Sequence, residues 1–174
     1  MKTLRLLIVA VVLGLTALGA DAAGNRWMIG LEGMARSGQT RGEDTNWGME
    51  LTAAYRVNLG KIFFVRPYVG ASFQRLDENL WVGGPGKYDY TTVWNAVVGA
   101  DLGARIVAGL DVHTGPVGTF PFDNFYSDRA SWRFGVGYTI WKFYVTAAFE
   151  KRMTKHEFSY DEYPNWVFGV HYMF

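Results

Sequence analysis

The feature that most limits how this chain can fold is a two-residue alternation in side-chain character. In the closing segment, the mixed positions 167, 169, 171 and 173 alternate with uniformly apolar ones, which are Trp166, Phe168, Val170, Tyr172 and Phe174. Successive side chains of a β-strand point to opposite faces, whereas a helix repeats every 3.6 residues. This segment is therefore predicted to be a strand with one apolar face, and residues 47–58 have the same pattern.

Eight strands are predicted when the alternation is followed along the chain. Their ranges are 26–36, 46–58, 62–75, 92–106, 110–115, 131–140, 143–153 and 165–174. The fifth is the weakest prediction because it is short and because Gly115 and Pro116 interrupt it. Most of the others have the roughly 9 to 11 residues that a tilted strand needs to cross a bilayer.

The connections between these strands alternate between short and long. Short ones at 60–61, 108–109 and 141–142 separate long polar ones at 37–45, 77–91, 116–130 and 154–164. Short periplasmic turns and longer extracellular loops are typical of outer-membrane barrels. A soluble β-sandwich also alternates in sequence but gives no reason to sort its connections by length. The predicted fold is all-β, an eight-stranded antiparallel up-and-down transmembrane β-barrel with its N-terminus in the periplasm.

The N-terminal segment has the charge and hydropathy pattern of a secretory signal peptide. Lys2 and Arg5 precede an apolar stretch, and Ala20 and Ala22 supply the small residues that a signal peptidase requires before its cut. A spanning helix would need about 20 apolar residues, more than this stretch contains. Residues 1–22 are predicted to be the signal peptide and residues 23–174 the barrel domain, located in the outer membrane of a Gram-negative cell.

Composition argues against several classes of site. The chain has no cysteine, so neither disulfides nor thiolate metal sites can form. The net charge is +1 and no basic block is present, so no nucleic-acid partner is predicted. The three histidines, His113, His156 and His171, lack the spacing of metal ligands, and no metal or cofactor is predicted.

Two segments resemble parts of known outer-membrane proteins. The alternating residues that end at Phe174 look like the C-terminal aromatic signal of such proteins, which implies that the barrel-assembly machinery recognises Trp166, Phe168, Val170, Tyr172 and Phe174. The segment Arg66-Pro67-Tyr68-Val69-Gly70-Ala71 is similar to a strand of the outer-membrane protein A-like, opacity-like and OmpX-like eight-stranded barrels. No peptidoglycan-binding domain follows, so a tethering role is not implied. Since Pro67 lacks an N–H donor, we expect a β-bulge near the rim to accommodate it.

The apolar register carries aromatic side chains at two heights along the strands. One group is Trp27, Tyr55, Phe63, Phe143, Tyr172 and Phe174, and the other is Trp47, Phe73, Trp94, Trp132, Phe149 and Trp166. They match the two aromatic girdles of a membrane barrel. Arg75 and Lys151 break the same register near the extracellular ends, where lipid A phosphates lie, so we expect them to contact lipopolysaccharide. The alternative is that both side chains snorkel without a specific lipid partner.

The opposite register is predicted to line the lumen with equal numbers of acids and arginines. The acids are Glu32, Glu50, Asp101, Asp111 and Glu150, and the cations are Arg56, Arg66, Arg105, Arg133 and Arg152. Arginine pairs with carboxylates through a planar fork of donors, which favours a packed ion-pair network. Eight strands leave an interior that side chains can fill, so a plug is predicted. A narrow channel for small hydrophobic molecules is the alternative.

Catalysis is less favoured by the sequence than a structural or surface-binding function. The long connections carry many aromatics, namely Trp81, Tyr88, Tyr90, Phe120, Phe122, Phe125, Tyr126, Tyr160 and Tyr163. Such a set predicts either a surface for an extracellular ligand or packing over the barrel mouth. A lipid A-modifying enzyme is the catalytic alternative. Only His156, beside Glu157 and Ser159, is predicted near the outer surface, and the histidine and serine spacing of the lipid A deacylase barrels is not found.

Overall fold

The computed structural model of the protein describes residues 25–36, 46–78, 89–122, 128–153 and 165–174. Eight antiparallel strands close into a barrel in sequence order, with β8 pairing back onto β1. They are β1 (Arg26–Arg36), β2 (Asn46–Leu59), β3 (Phe63–Glu78), β4 (Asp89–Val107), β5 (Leu110–Pro121), β6 (Arg129–Ile140), β7 (Phe143–Arg152) and β8 (Asn165–Met173). The predicted up-and-down barrel is confirmed. In the described part of the chain, no helix is long and apolar enough to cross a membrane.

Three tight turns lie at one end of the barrel, which we call the turn end. Gly60 and Gly109 have φ angles of 78° and 82°, a region that glycine enters without a steric penalty. The third turn, 141–142, places Trp141 at a φ of 54°. Both chain ends of the barrel also lie here, since the Phe174 amide donates to the Trp27 carbonyl at 2.9 Å. The opposite ends of the strands define the loop end, and residues 37–45, 79–88, 123–127 and 154–164 are outside the described residues.

The fifth strand is longer than the sequence predicted. It continues through Gly115 and Pro116 to Pro121, so the connection predicted over 116–130 was too long, and Phe120 lies in a strand. Tyr90, predicted in a loop, lies in β4. Pro116 interrupts only the ladder to β4, between the pairs Gly99 with Val117 and Leu102 with Thr114, and still pairs with Trp132 of β6. A strand residue presents its N–H to one neighbour only, so one proline removes one hydrogen bond without ending the strand.

The bulge predicted at Pro67 was also wrong, for the same reason. The pairs Ala54 with Tyr68 and Val57 with Val65 flank the proline with no shift in register. On its other side Pro67 aligns with Ala100 of β4. The register shift that the structure contains lies between Arg105 and Val107, next to a tight turn.

The outer face of the barrel is a continuous apolar surface. Exposed side chains include Leu31, Leu51, Leu102, Val136 and Val170 at mid-height. Aromatic rings contact one another across strands at the loop end, with centroids 5.6 Å apart for Trp47 and Phe73, 5.3 Å for Phe73 and Trp94, and 5.2 Å for Phe134 and Phe149. At the turn end, Tyr55 is buried against Trp27 at 4.8 Å rather than exposed. An apolar band of this extent is stable only when lipid covers it.

Candidate functional site in the barrel lumen

Arg133 joins opposite walls of the barrel near the middle of the lumen. From β6 its Nη1 donates to Glu32 Oε2 of β1 at 2.8 Å, and its Nη2 donates to Glu150 Oε2 of β7 at 3.0 Å. Nη2 also lies 3.8 Å from Glu50 Oε2 of β2. The guanidinium and all three carboxylates are at least nine-tenths buried. One cation therefore holds three acids, two of which, Glu32 and Glu50, are direct cross-strand neighbours that would otherwise repel.

Two further arginines form a second layer toward the turn end. Arg66 pairs with its cross-strand neighbour Asp101, with Nε donating to Oδ2 at 3.0 Å. Arg56 of β2 reaches Asp111 of β5 across the lumen, from Nη2 to Oδ2 at 3.2 Å. Both guanidinium groups lie over aromatic rings, Arg56 at 3.7 Å from the Phe64 centroid and Arg66 at 5.0 Å from that of Tyr144. These contacts fill the centre of the lumen with charge that is paired or covered by a ring.

Asp111 is the centre of a hydrogen-bonded group that contains an aromatic residue and a histidine. The Tyr144 hydroxyl donates to Asp111 Oδ1 at 2.7 Å and lies 3.3 Å from His113 Nδ1. His113 Nδ1 is in turn 3.5 Å from the same carboxylate oxygen. All three side chains are buried, and Asp111 also lies at the wall of a cavity at the turn end. The geometry of this hydrogen-bonded group fits a packed polar core.

Lumen rings lie directly over glycines, and this is what allows eight strands to hold them. A Cβ at Gly99 would stand 2.2 Å from Tyr68 Cζ, and one at Gly137 would stand 2.0 Å from the Tyr144 hydroxyl. At Gly115 the closest atom is a backbone oxygen, that of Ala100 at 1.8 Å. Any larger residue at these positions overlaps an atom already present. At Gly99 and Gly137 the lumen is thus filled to contact by its own side chains.

The ten predicted lumen residues fall into three groups, which are buried, exposed or without a described side chain. Eight of the ten are buried in the interior, and they are Glu32, Glu50, Arg56, Arg66, Asp101, Asp111, Arg133 and Glu150. Arg105 is exposed at the turn end, where its guanidinium donates to Asn58 Oδ1 and to the Lys61 carbonyl, so its inclusion in a packed network was wrong. The physical reason is height: the residue is two positions from the end of β4. The backbone of Arg152 ends β7, and its side chain is outside the described residues.

The remaining predicted residues lie on the outer face. Arg75 and Lys151 are exposed at the loop end, each the cross-strand neighbour of a tryptophan, Trp47 and Trp132. Four residues of the closing aromatic segment, Trp166, Phe168, Val170 and Phe174, are exposed on β8 or just after it, and Tyr172 is partly covered by neighbouring rings. Seven of the nine loop aromatics lie outside the described residues or have no described side chain, the exceptions being Phe120 and Phe122.

Sequence reasoning missed the aromatic part of the lumen. Phe64, Tyr68 and Tyr144 are buried inside. Phe64 and Tyr144 make the cation contacts described above, and the Tyr68 ring centroid lies 5.5 Å from Arg133 Cζ. The sequence contained the information, because alternate residues of a strand share a face and Phe64 and Tyr68 are each two residues from the inward Arg66. The charged residues of the inward register predicted a polar lumen, and the aromatic residues of the same register were not assigned to it.

A cavity opens below the packed layers, at the turn end. Its volume is about 790 Å³, and its polar walls include Arg26, Arg56, Lys61, Arg105 and Asp111. Its apolar walls come from the turns and from the end of β4, with Ile62, Ile106, Val107 and Trp141. Among the described residues, no three histidine, cysteine or acidic side chains converge as ligands for a metal. The lumen therefore has a closed, charge-paired middle and an open, cation-rich base.

Comparison with known proteins supports the fold. No protein-family model and no curated protein matches the sequence. Among solved structures, a de novo designed transmembrane β-barrel aligns over 86% of this chain and 95% of its own length, with a TM-score of 0.54 and 9% identity. The Yersinia pestis outer membrane protein Ail, determined in a phospholipid bilayer nanodisc, aligns over 86% of this chain and 99% of its own, with a TM-score of 0.53 and 17% identity. At these identities the likeness concerns the fold alone, and this chain has the fold of a small transmembrane β-barrel.

Proposed function

We propose that the protein is a small outer-membrane barrel with a structural or surface-binding role, in which the lumen serves as a rigid plug and the loops provide the contacts. The observation that carries the plug is the Arg133 network, because it crosses the lumen from β6 to β1 and β2 and pairs the buried carboxylates at that height. The orientation we infer places the turn end in the periplasm and the loop end outside the cell.

The composition of the loop-end connections supports a binding role. Residues 79–88 include Trp81 and Tyr88, and residues 154–164 include Tyr160 and Tyr163. Aromatic side chains contribute most of the binding energy at many protein surfaces, so an extracellular ligand is the partner we propose for these segments. Ail, one of the solved structures with the same fold, is an outer membrane protein, which agrees with the proposed location.

Conductance and binding measurements test the two halves of this proposal. In planar bilayers the refolded protein should give no sustained current, because the middle of the lumen is filled.

For the loops, we would replace residues 79–88 and 154–164 with short glycine and serine linkers and measure adhesion of cells that display each form. The control variant replaces the turn 108–109 with a different two-residue turn. Loss of adhesion only in the loop variant supports a surface-binding role.

Two results would contradict the proposal, and a third would narrow it. Sustained open-channel currents would favour transport of small hydrophobic molecules. Release or transfer of an acyl chain from lipid A by the purified protein would favour an enzyme. Adhesion that is unchanged after both loops are replaced would leave a purely structural role and remove the extracellular ligand from the proposal.

A further inference from the structure

The turn-end cavity contains more positive charge than its own residues balance. Four cationic side chains line it, Arg26, Arg56, Lys61 and Arg105, against one acid, Asp111. That acid is already engaged, since it accepts from Arg56 and from the Tyr144 hydroxyl. The cavity therefore has an unbalanced positive charge next to a desolvated barrel interior, where charges interact more strongly than in water.

The strand register places two of these cations directly against each other. Arg26 of β1 and Arg56 of β2 are cross-strand partners, and both line the cavity. Like charges in directly opposite positions destabilise a strand pair. Arg56 is 5% exposed, and its Nε has no hydrogen-bond partner. A buried, unsatisfied guanidinium nitrogen at the wall of a cation-rich cavity is typical of a site that a bound anion completes.

The walls of the cavity also limit what kind of anion fits. The cavity lining includes three exposed apolar side chains, Ile62 and Trp141 from the turns and Ile106 from the end of β4. Trp141 adopts a positive φ, which is strained for a bulky residue, and its ring is a neighbour of the Lys142 ammonium at 5.7 Å. A cationic base with apolar lining residues suits an amphiphile whose headgroup carries the negative charge.

We propose that the turn-end cavity is a binding site for a phosphate-bearing anion, held by Arg26, Arg56 and Arg105. Arginine forks match phosphate oxygens bidentately, and the volume of about 790 Å³ accommodates a phosphodiester headgroup. The phosphate can come from a membrane phospholipid or from a soluble phosphate ester. A phospholipid source rests on the proposed membrane location, whereas binding of a soluble ester does not.

The test uses the mature chain refolded in zwitterionic micelles and two probes. Dioctanoyl phosphatidylglycerol supplies the headgroup on a lipid, and glycerol 3-phosphate supplies it in soluble form; dioctanoylglycerol is the uncharged control. Affinities are measured by the change in amide chemical shifts of the turn-end residues. We expect the double variant Arg26→Gln and Arg105→Gln to bind either active probe about tenfold or more weakly, and added salt to weaken binding by the wild type.

Lys142→Gln is the matched control variant. It removes one positive charge from the same end of the barrel, but Lys142 lies over Trp141 and Tyr172 and is not part of the cavity wall. Its affinity should equal that of the wild type. Binding of phosphatidylglycerol alone identifies a membrane headgroup, and equal binding of glycerol 3-phosphate identifies a soluble ester. Failure of both probes, equal binding of dioctanoylglycerol, or equal losses in Lys142→Gln and the double variant would overturn the proposal.

Folding of each variant is verified separately by heat-modifiable migration in gels. Because Arg26 and Arg105 are exposed, we expect both to fold. A third variant, Lys61→Gln, covers the case in which the double variant does not fold, since its side chain is exposed on the turn between β2 and β3. It should weaken binding less than the double variant but measurably, and an unchanged affinity there would also count against the site.

Discussion

Arg133 and Arg105 are both inward-register arginines of the same barrel, and the structure gives them opposite environments. Arg133 is 2% exposed and contacts three carboxylates. Arg105 is exposed at the open base and donates to an amide oxygen and a backbone carbonyl. Register therefore decides which way a side chain points, whereas height along the strand decides whether its charge is desolvated.

The largest effect in this comparison is expected from Arg133→Ala. Removing the guanidinium leaves Glu32, Glu50 and Glu150 buried together without the arginine that pairs them, and breaking a buried pair in this way costs about 3 to 5 kcal/mol. Denaturant unfolding in detergent, followed by the fluorescence of the seven tryptophans, measures the free energy of unfolding. A loss below about 1 kcal/mol would show that the network is hydrated and that the middle of the lumen is open.

A second, smaller effect tests packing rather than charge at the same height. Gly115 is the cross-strand partner of Arg133, and a Cβ there would stand 1.8 Å from the Ala100 backbone oxygen. Gly115→Ala should therefore destabilise the barrel by about 1 to 3 kcal/mol, because the backbone has to move. Gly33→Ala is the control, since its nearest atom is 3.9 Å away. Equal stability of the two variants would contradict the close approach of β4 to β5 at Gly115.

Arg105→Ala tests the exposed arginine of this pair. The side chain is exposed, so its removal should change the free energy of unfolding by less than about 1 kcal/mol. The measurement is the same denaturant titration, made beside Arg133→Ala under identical conditions. If both variants lose stability equally, the distinction between a closed middle and an open base is wrong.

The smallest effect on folding is expected at the outer loop end. Arg75 and Lys151 are exposed beside Trp47 and Trp132, and a cation near the membrane interface costs only about 0 to 1 kcal/mol. Changing both to Gln should leave folding in detergent unaltered and reduce co-purified lipopolysaccharide, if these cations bind lipid A phosphates as we propose. Lys142→Gln at the turn end is the control. Unchanged lipopolysaccharide in the double variant leaves snorkelling as their role.

The sequence predicted the number, order and direction of the strands because one face of each must be apolar. That pattern survives local interruptions, but it does not reveal how a proline affects the ladder, so the continuation of β5 past Pro116 was missed. Contacts across the lumen, such as Arg56 with Asp111 and Arg133 with Glu32, join β2 with β5 and β6 with β1. Their partners depend on barrel shear, which no single strand encodes.

The cavity at the turn end was not predicted for a related reason. Arg26, Lys61 and Arg105 are far apart in sequence, and only closure of the barrel brings them around one space. The charged residues could be read from the sequence. However, the inward register has equal numbers of acids and arginines, and these totals do not show how the charges are distributed along the barrel axis. Most of the acids lie in the packed middle, and unbalanced cations lie at the base.

Accessibility of single cysteines to a water-soluble thiol reagent tests the closed middle and open base most directly. The chain has no cysteine, so Ser72→Cys and Thr139→Cys each report one position without background. Ser72 is 1% exposed in the layer of Glu50, its cross-strand partner, whereas Thr139 lines the turn-end cavity. We predict rapid labelling of Thr139→Cys in the folded barrel and labelling of Ser72→Cys only after unfolding. Equal labelling rates at the two positions in the folded protein would contradict a lumen with a closed middle and an open base.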